Sequence, residues 1–385
     1  MNLTKIVRER LKMLGGAQSS SNDLLKNVIC ESNPCEHIAS GNFGAVYKGA
    51  YQEEGKDCYK RVGLKVLKLA NEDYVKKNFK LTNNAKINEK IKELNDKIKT
   101  EFDNEKQINI ILKNGQHIAK FYGEANFPGD KGINCLVFEY YENKNLKSYL
   151  DPDPKNLDFG KKINILTQIC EGMAFIHGKK VLHRDLAARN ILLDKSLNAK
   201  VADFGLAVEV EETNNNPNLI KKHTQKGLKL PIGYLSPKFY RQYINKKNQF
   251  FSIQTDLWAF GVTIWEIFTK ERPGDLNRIP RPYYNKVPEG ENPAKFINSK
   301  ILPKETYDFF IDTFKTNNKD VNDIIKQCFE PAFNKKNNTI INRTFNDLLT
   351  YINNIKTTGG SRKKKRTLKK GGRPKKQTKT RKSRK

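Results

Sequence analysis

The stretch at residues 183–190 decides the fold, and it reads His183-Arg184-Asp185-Leu186-Ala187-Ala188-Arg189-Asn190. The triplet Asp203-Phe204-Gly205 begins thirteen residues after Asn190. Asp185, Asn190 and Asp203 place carboxylate and amide oxygens on one loop and one strand turn. Such oxygens are the ligands that Mg²⁺ prefers, and a carboxylate among them can accept the proton of a hydroxyl nucleophile. The pattern therefore predicts a magnesium-dependent site for phosphoryl transfer.

This run and its triplet resemble the catalytic loop and metal-binding turn of eukaryotic protein kinases, and the resemblance covers about residues 38–355. It implies an α+β fold of two lobes, a small β-rich N-lobe and a larger helical C-lobe. It also implies ATP and Mg²⁺ as cofactors and a protein as substrate. By the same resemblance, Asp185 accepts the hydroxyl proton, Asn190 and Asp203 hold magnesium, and Arg189 offsets developing charge.

A glycine-rich loop precedes the catalytic loop, and it resembles the kinase pattern G-x-G-x-x-G-x-V with Ala39 in place of the first glycine. Glycine lets backbone amides close over phosphates because no Cβ intervenes. Losing the first glycine should weaken nucleotide binding without abolishing it. The predicted nucleotide-binding residues are Ile38, Ala39, Ser40, Gly41, Asn42, Phe43, Gly44 and Val46 of the loop, Lys65, and Glu139 and Tyr141 of the hinge that follows Phe138.

The run Val62-Gly63-Leu64-Lys65 resembles the kinase strand whose lysine reaches the α- and β-phosphates. Glu105 matches the helix glutamate that pairs with this lysine, so Lys65 and Glu105 join Asp185 and Arg189 as predicted catalytic residues. Asn109, one turn after Glu105, stands where the family has an apolar side chain.

Between Lys65 and Glu105 lies a Lys/Asn-rich insertion at residues 71–100 that grades into a helix. Its apolar residues recur at helical spacing, and they are Ile87, Ile91, Leu94, Ile98, Phe102, Ile108 and Leu112. The stripe predicts a long helix that either packs on its own domain or forms a coiled-coil arm for a partner.

The catalytic loop favours tyrosine as the acceptor. Serine/threonine kinases place a lysine two residues after the aspartate, where this chain has Ala187, and the cation is Arg189 as in tyrosine kinases. The segment from Lys229 to Tyr234 also resembles the tyrosine-kinase K-L-P-V-R-W pattern. Serine/threonine or dual specificity remains the alternative within enzymes, and a pseudokinase scaffold is the alternative of another class.

Two departures concern the segment after the triplet. Ser236-Pro237-Lys238 stands in place of the family's A-P-E, and Asn342 takes the place of the arginine that pairs with that glutamate. The usual activating tyrosine is missing before Tyr234. We therefore expect a glutamate of residues 209–212, or a phosphothreonine, to meet the buried Arg184.

The chain has 385 residues with 72 Lys and Arg against 42 Asp and Glu, a net charge of +30. Residues 359–385 carry 15 of these cations and no acid. That composition predicts a disordered tail that acts as a nuclear-import signal or binds nucleic acid or another polyanion. Cytoplasmic and/or nuclear localisation follows.

The domain boundaries predicted from these patterns are an N-terminal extension at residues 1–29, a kinase domain at 30–356 and the tail at 357–385. No stretch approaches 18 consecutive apolar residues, so no membrane span is expected. The six cysteines are scattered, which predicts reduced thiols. The sequence assigns no oligomeric state.

Overall fold

The computed structural model describes residues 24–40, 44–67, 69–128, 130–151, 157–210, 232–236, 239, 251–269, 311–312, 314–333 and 343–355. Several predictions lie outside the described residues. They concern Gly41, Asn42 and Phe43 of the glycine-rich loop, the activation segment at 211–231, Lys238, Asn342, and the basic tail.

The N-lobe is built on a six-stranded antiparallel sheet. Its strands are β1 (Val28–Cys30), β2 (His37–Ser40), β3 (Gly44–Gln52), β4 (Tyr59–Leu67), β5 (Phe121–Phe127) and β6 (Asp130–Glu139). They lie in the order β1-β3-β4-β6-β5, and β2 also pairs with β3. The β-rich N-lobe that the resemblance implies is present as β1 to β6. The sheet starts before the predicted boundary at residue 30, because Val28 and Ile29 pair with Tyr51 and Ala50.

Two helices follow β4, namely α1 (Glu72–Phe79) and α2 (Asn84–Ile111). Each begins at an asparagine cap, because the Asn71 and Asn83 side chains accept hydrogen bonds from backbone N–H groups of the first turn. The stripe of α2 is buried at Ile87, Phe102 and Ile108. At these positions the stripe packs on its own domain, which is the first of the two predicted alternatives.

The C-lobe consists mainly of helices. In the described part of the C-lobe, the helices of five or more residues are α3 (Leu146–Leu150), α4 (Phe159–Gly178), α5 (Ile253–Phe268), α6 (Lys319–Phe333) and α7 (residues 345–355). Short strands lie between α4 and α5, and these are β7 (Val181–Leu182), β8 (Ile191–Leu193), β9 (Ala199–Val201) and β10 (Val208–Glu209). β7 pairs with β10 and β8 pairs with β9. The predicted α+β, two-lobe kinase fold is confirmed.

Helix α5 forms the centre of the C-lobe core. Trp258 stacks on Phe329 of α6 with 4.0 Å between ring centroids. Gly261 permits this approach, because a Cβ there would lie 2.5 Å from the Phe329 ring. Among the helices that the structure describes, none combines the length and apolar character needed to cross a lipid bilayer.

The prediction of reduced thiols is wrong for one pair of cysteines. Cys30 and Cys35 form a disulfide across the turn between β1 and β2, with their Cα atoms 5.2 Å apart. The turn brings the two residues within bridging distance, which their spacing in the sequence could not show. Cys58, Cys135, Cys170 and Cys328 are free thiols, as predicted.

Candidate active site

The catalytic loop is held in place by Asp256 of α5. One oxygen of its carboxylate accepts the backbone N–H of His183 at 2.9 Å, and the other accepts that of Arg184 at 2.9 Å. His177 of α4 contacts the same carboxylate at 2.8 Å. Burial favours the neutral acid, but the hydrogen bond and charge of His177 outweigh it and keep the pKa of Asp256 below its ordinary value. A buried carboxylate thus fixes the start of the loop.

Asp185 lies in contact with two side chains of the short 3₁₀ helix Ala188–Asn190. Asn190 Nδ2 donates to the Asp185 carbonyl at 2.7 Å and to its Oδ2 at 2.8 Å. Arg189 Nη2 contacts Asp185 Oδ1. Burial raises the pKa of Asp185, and the Arg189 charge opposes that rise. The structure therefore brings together the predicted base, the predicted cation and one predicted metal ligand.

Lys65 connects the two lobes of the site. Its Nζ lies 2.5 Å from Glu105 Oε1 and 2.8 Å from Asp203 Oδ1. Burial alone would lower the pKa of Lys65, but the charges of Asp203 and Glu105 raise it above its ordinary value. Partial burial would raise the pKa of Asp203, whose side chain is 40% exposed, but the charge of Lys65 holds that pKa below its usual range. Burial raises the pKa of Glu105, and the charge of Lys65 opposes that rise. Lys65 and Asp203 are therefore charged at neutral pH.

Helix α2 is attached to the site on both sides of Glu105. Asn104 Nδ2 donates to the Ala207 carbonyl at 3.0 Å, just after the Asp203 triplet. Lys106 pairs with Glu124 of β5 at 2.8 Å. Asn109, one turn further on, donates to the Glu105 carbonyl at 2.9 Å, while its buried Oδ1 has no hydrogen-bond partner among the residues that the structure describes. An unpartnered buried acceptor costs stability, so Asn109 weakens this part of the helix.

The described part of the nucleotide side is formed by adjacent strands. Ala39 of β2 pairs with Val46 of β3, and Val46 pairs with Lys65 of β4. Gly63 faces Phe138 of β6 in the register of the sheet. A Cβ on Gly63 would meet only Val46 Cγ1, at 3.5 Å, so the glycine leaves an open space where the family has alanine.

Of the other predicted nucleotide-binding residues, those that the structure describes lie on β2 and β3 and in the hinge at the end of β6. Ile38 and Ser40 belong to β2 and Gly44 begins β3. Glu139 ends β6, and its backbone N–H donates to the Lys120 carbonyl at 2.9 Å. Tyr141 is buried, and its hydroxyl accepts the Lys120 N–H at 3.0 Å. The Tyr141 side chain thus secures the hinge.

The donor set near Asp203 fits Mg²⁺. Asn190 and Asp203 offer amide and carboxylate oxygens, and hard oxygen donors suit Mg²⁺ better than the nitrogen and sulfur ligands typical of zinc sites. Among the described residues, no group of three or more His, Cys, Asp or Glu side chains forms another candidate metal site. These two residues would hold the ion, as the sequence predicts.

Two side chains near the catalytic loop were not assigned a role from the sequence. The Tyr234 hydroxyl donates to Glu266 Oε2 of α5 at 2.7 Å, and both are buried. Glu266 also accepts the backbone N–H of Ala188. The guanidinium carbon of Arg189 lies 5.4 Å from the Tyr234 ring centroid. The only sequence signal was Tyr234 itself, which occupies the tryptophan position of the tyrosine-kinase pattern.

Arg184 is buried, as predicted, but it meets an aromatic ring. Its guanidinium carbon lies 4.1 Å from the Phe251 ring centroid, and Phe251 packs against Phe239. Within the described residues, Nε and Nη2 of Arg184 have no hydrogen-bond partner. Burial lowers the pKa of Arg184 to about 10. Of the acidic residues predicted to meet Arg184, Glu209 is exposed in β10 and the rest lie outside the described residues.

The Arg189 contact predicts a specific change in pH dependence. As the base that the sequence predicts, Asp185 would have to be ionised to accept a proton, so kinase activity should fall as the pH drops through its pKa. Arg189→Met removes the cation that lowers this pKa, and the acid limb of kcat against pH should move to higher pH. Lys195→Met is the matched control, because Lys195 is exposed and pairs with Glu142 instead. An acid limb that stays in place or moves to lower pH contradicts the assigned contact.

A family model described as protein tyrosine and serine/threonine kinase matches residues 80–339. The match begins after the glycine-rich loop and Lys65. For the residues before 80, the resemblance to kinases rests on the register of β3 and β4 and on the contacts of Lys65 with Glu105 and Asp203.

Curated relatives agree with the family model. "Tyrosine-protein kinase SPK-1" of Girardia tigrina is 31% identical over 198 residues, covering 50% of this chain and 37% of that protein. "Calmodulin-binding receptor-like cytoplasmic kinase 3" of Arabidopsis thaliana is 29% identical over 286 residues, covering 69% and 47%. "Cytoplasmic tyrosine-protein kinase BMX" of Mus musculus is 33% identical over 177 residues, covering 46% and 25%.

The chain thus spans less than half the length of each of these relatives. The family model, in contrast, covers more than half of the chain, and it contains the whole catalytic loop and the Asp203 triplet. The chain belongs to the protein tyrosine and serine/threonine kinase family.

Proposed function

We propose that the chain is an ATP-dependent protein kinase that transfers the γ-phosphoryl group to a protein hydroxyl. The observation that carries this proposal is the position of Lys65, which contacts Glu105 and Asp203 at the same time. Phosphoryl transfer by a protein kinase needs a lysine held by the helix glutamate beside the metal-binding aspartate, and these two contacts support that role for Lys65. A pseudokinase scaffold, the alternative that is not an enzyme, would not need Lys65, Glu105 and Asp203 to contact one another.

The side chains divide the reaction between them. Asp185 orients the acceptor hydroxyl and takes its proton. Lys65 binds the α- and β-phosphates, and Glu105 keeps the ammonium group in place. Arg189 places a positive charge beside the reacting centre. Mg²⁺, when bound at Asn190 and Asp203, neutralises charge on the phosphates.

Tyrosine is the proposed acceptor. The catalytic loop has its cation at Arg189. At the position where serine/threonine kinases have a lysine, this chain has the uncharged Ala187. Two of the relatives above bear the name tyrosine kinase. Serine/threonine or dual specificity is the second candidate, because the matching family model includes serine/threonine kinases as well as tyrosine kinases.

Phosphoamino-acid analysis tests both the activity and the acceptor. The full chain is incubated with labelled ATP, Mg²⁺ and a mixed polymer that contains Tyr, Ser and Thr. Label on phosphotyrosine alone is the expected result. Phosphoserine or phosphothreonine would establish the second candidate, and a chain that transfers no label would fit the scaffold alternative. Chain with Asp185→Asn, run in parallel, detects a contaminating kinase.

We further propose that residues 359–385 bind a polyanion and direct the chain to the nucleus, with the cytoplasm as its other location. Fifteen cations in 27 residues would release counterions on binding, so affinity should fall steeply with salt. Deletion of 359–385 should lower the salt concentration at which the chain elutes from a polyanion column. Elution at the same salt with and without these residues would contradict the proposal.

A further inference from the structure

The insertion between β4 and Glu105 has a defined structure in contact with the N-lobe. We name the insertion hairpin as α1 together with the first half of α2, residues 72–98. Val75 of α1 and Ile87 of α2 are fully buried. Lys90 of α2 lies over the Phe79 ring at 5.1 Å from its centroid. Apolar burial and a cation–π contact therefore hold the two helices together.

A single side chain joins this hairpin to the end of the strand that carries Lys65. Asn95 Oδ1 accepts the backbone N–H of Ala70 at 2.7 Å, and Asn95 Nδ2 donates to the Ala70 carbonyl at 3.2 Å. Ala70 is buried and lies three residues after the end of β4 at Leu67. Both backbone hydrogen-bonding groups of the buried residue Ala70 thus bond to one amide side chain.

The position of Asn95 relative to Glu105 gives this contact its significance. Both belong to α2, and ten residues of helix separate them by about 15 Å. Lys65 and Ala70 are likewise joined by five residues of chain. The strand and the helix are therefore connected at two points, through the Lys65–Glu105 ion pair and through the Asn95–Ala70 hydrogen bonds. A rotation of α2 that separates the ion pair must also disturb the second connection.

We propose that the insertion hairpin acts as an internal clamp that holds α2 in the position where Glu105 meets Lys65, and that Asn95 is its positioning residue. The clamp offsets the loss of stability caused by Asn109 on the same helix, whose Oδ1 has no hydrogen-bond partner among the described residues. Kinase activity depends on the position of this helix, so the consequence for catalysis rests on the proposed function. The effect on the helix itself does not.

The test compares Asn95→Leu with wild type in the full chain. Leucine has nearly the same size but cannot bond Ala70. Amide hydrogen exchange in residues 99–111 should become several-fold faster, while exchange in β5 and β6 stays unchanged. The KM for ATP should rise and kcat/KM should fall by at least about tenfold. Asn88→Leu is the matched control, because Asn88 is exposed on the same helix, and both readouts should stay at wild-type values.

The outcomes separate the clamp from the proposed function. If wild type transfers no phosphate, the proposed function fails while hydrogen exchange still tests the clamp. The clamp would be overturned if Asn95→Leu folds and keeps both the wild-type exchange rate in residues 99–111 and the wild-type KM for ATP. The hairpin would then not position α2.

A second variant covers the case in which Asn95→Leu does not fold. Asn95→Ala removes the same hydrogen bonds without adding bulk beside Ala70, and it should reproduce both changes. Failure of both variants to fold would also overturn the proposal, because Asn95 would then support the whole domain instead of positioning α2.

Discussion

Asp185→Asn is expected to lower kcat by about 10²–10⁴-fold, because general-base catalysis by a positioned side chain contributes that much. Asparagine fills the same volume but cannot accept the hydroxyl proton. Asp185 lies outside the Lys65–Glu105–Asp203 group, so ATP binding and melting temperature should stay near wild type. Single-turnover phosphotransfer and nucleotide titration measure the two effects separately.

Asp158→Asn is the matched control for this substitution. Asp158 is exposed and caps α4 by accepting the Lys161 N–H at 2.8 Å, and asparagine caps a helix equally well. The same chemical change should therefore leave kcat unaltered at this site. Phosphotransfer by Asp185→Asn at a rate near wild type would remove Asp185 from the mechanism.

Lys65→Met is expected to affect both activity and stability. The ammonium group would no longer meet the phosphates, and loss of one such electrostatic contact lowers kcat by about 10²–10³-fold. Glu105 is only 3% exposed and would lose its ion-pair partner. Removing one partner of a buried pair costs about 3 kcal/mol, so chemical denaturation should show a lower free energy of unfolding.

A second substitution separates these two effects. Lys65→Met with Glu105→Gln removes the uncompensated buried charge, so much of the lost stability should return while activity stays low. Lys56→Met is the control, since Lys56 is half-exposed and pairs with Glu53 at the surface. Equal stability losses in the single and double variants would show that Lys65 and Glu105 are not energetically coupled.

Much of the site could be predicted because its residues occur in contiguous motifs. The 183–190 loop fixes Asp185, Arg189 and Asn190 within a few residues of each other, and local geometry then brings them into contact. Lys65 and Glu105 could be paired only because each occurs in a recognisable strand or helix pattern.

Other contacts could not be predicted, since they join residues that share no motif. Asn95 meets Ala70 through the packing of the insertion at residues 71–100. Cys30 and Cys35 are bridged because a turn reverses the chain between two strands. Tyr234 reaches Glu266 only after α5 has packed beneath the catalytic loop. In each case the tertiary fold decides the partner, and the local sequence pattern does not.

Because α2 is long, a small tilt of the helix at Glu105 produces a large displacement of its N-terminal end. Asn84, at its first residue, lies 21 residues from Glu105, a distance of about 30 Å along the axis. A rotation of about 5° around Glu105 would therefore displace the tip by roughly 3 Å. Lys86 is exposed near this tip, so a spin label or fluorophore there would turn small tilts of the helix into a distance signal. A label on the insertion can therefore report the tilt of α2 in the N-lobe in solution.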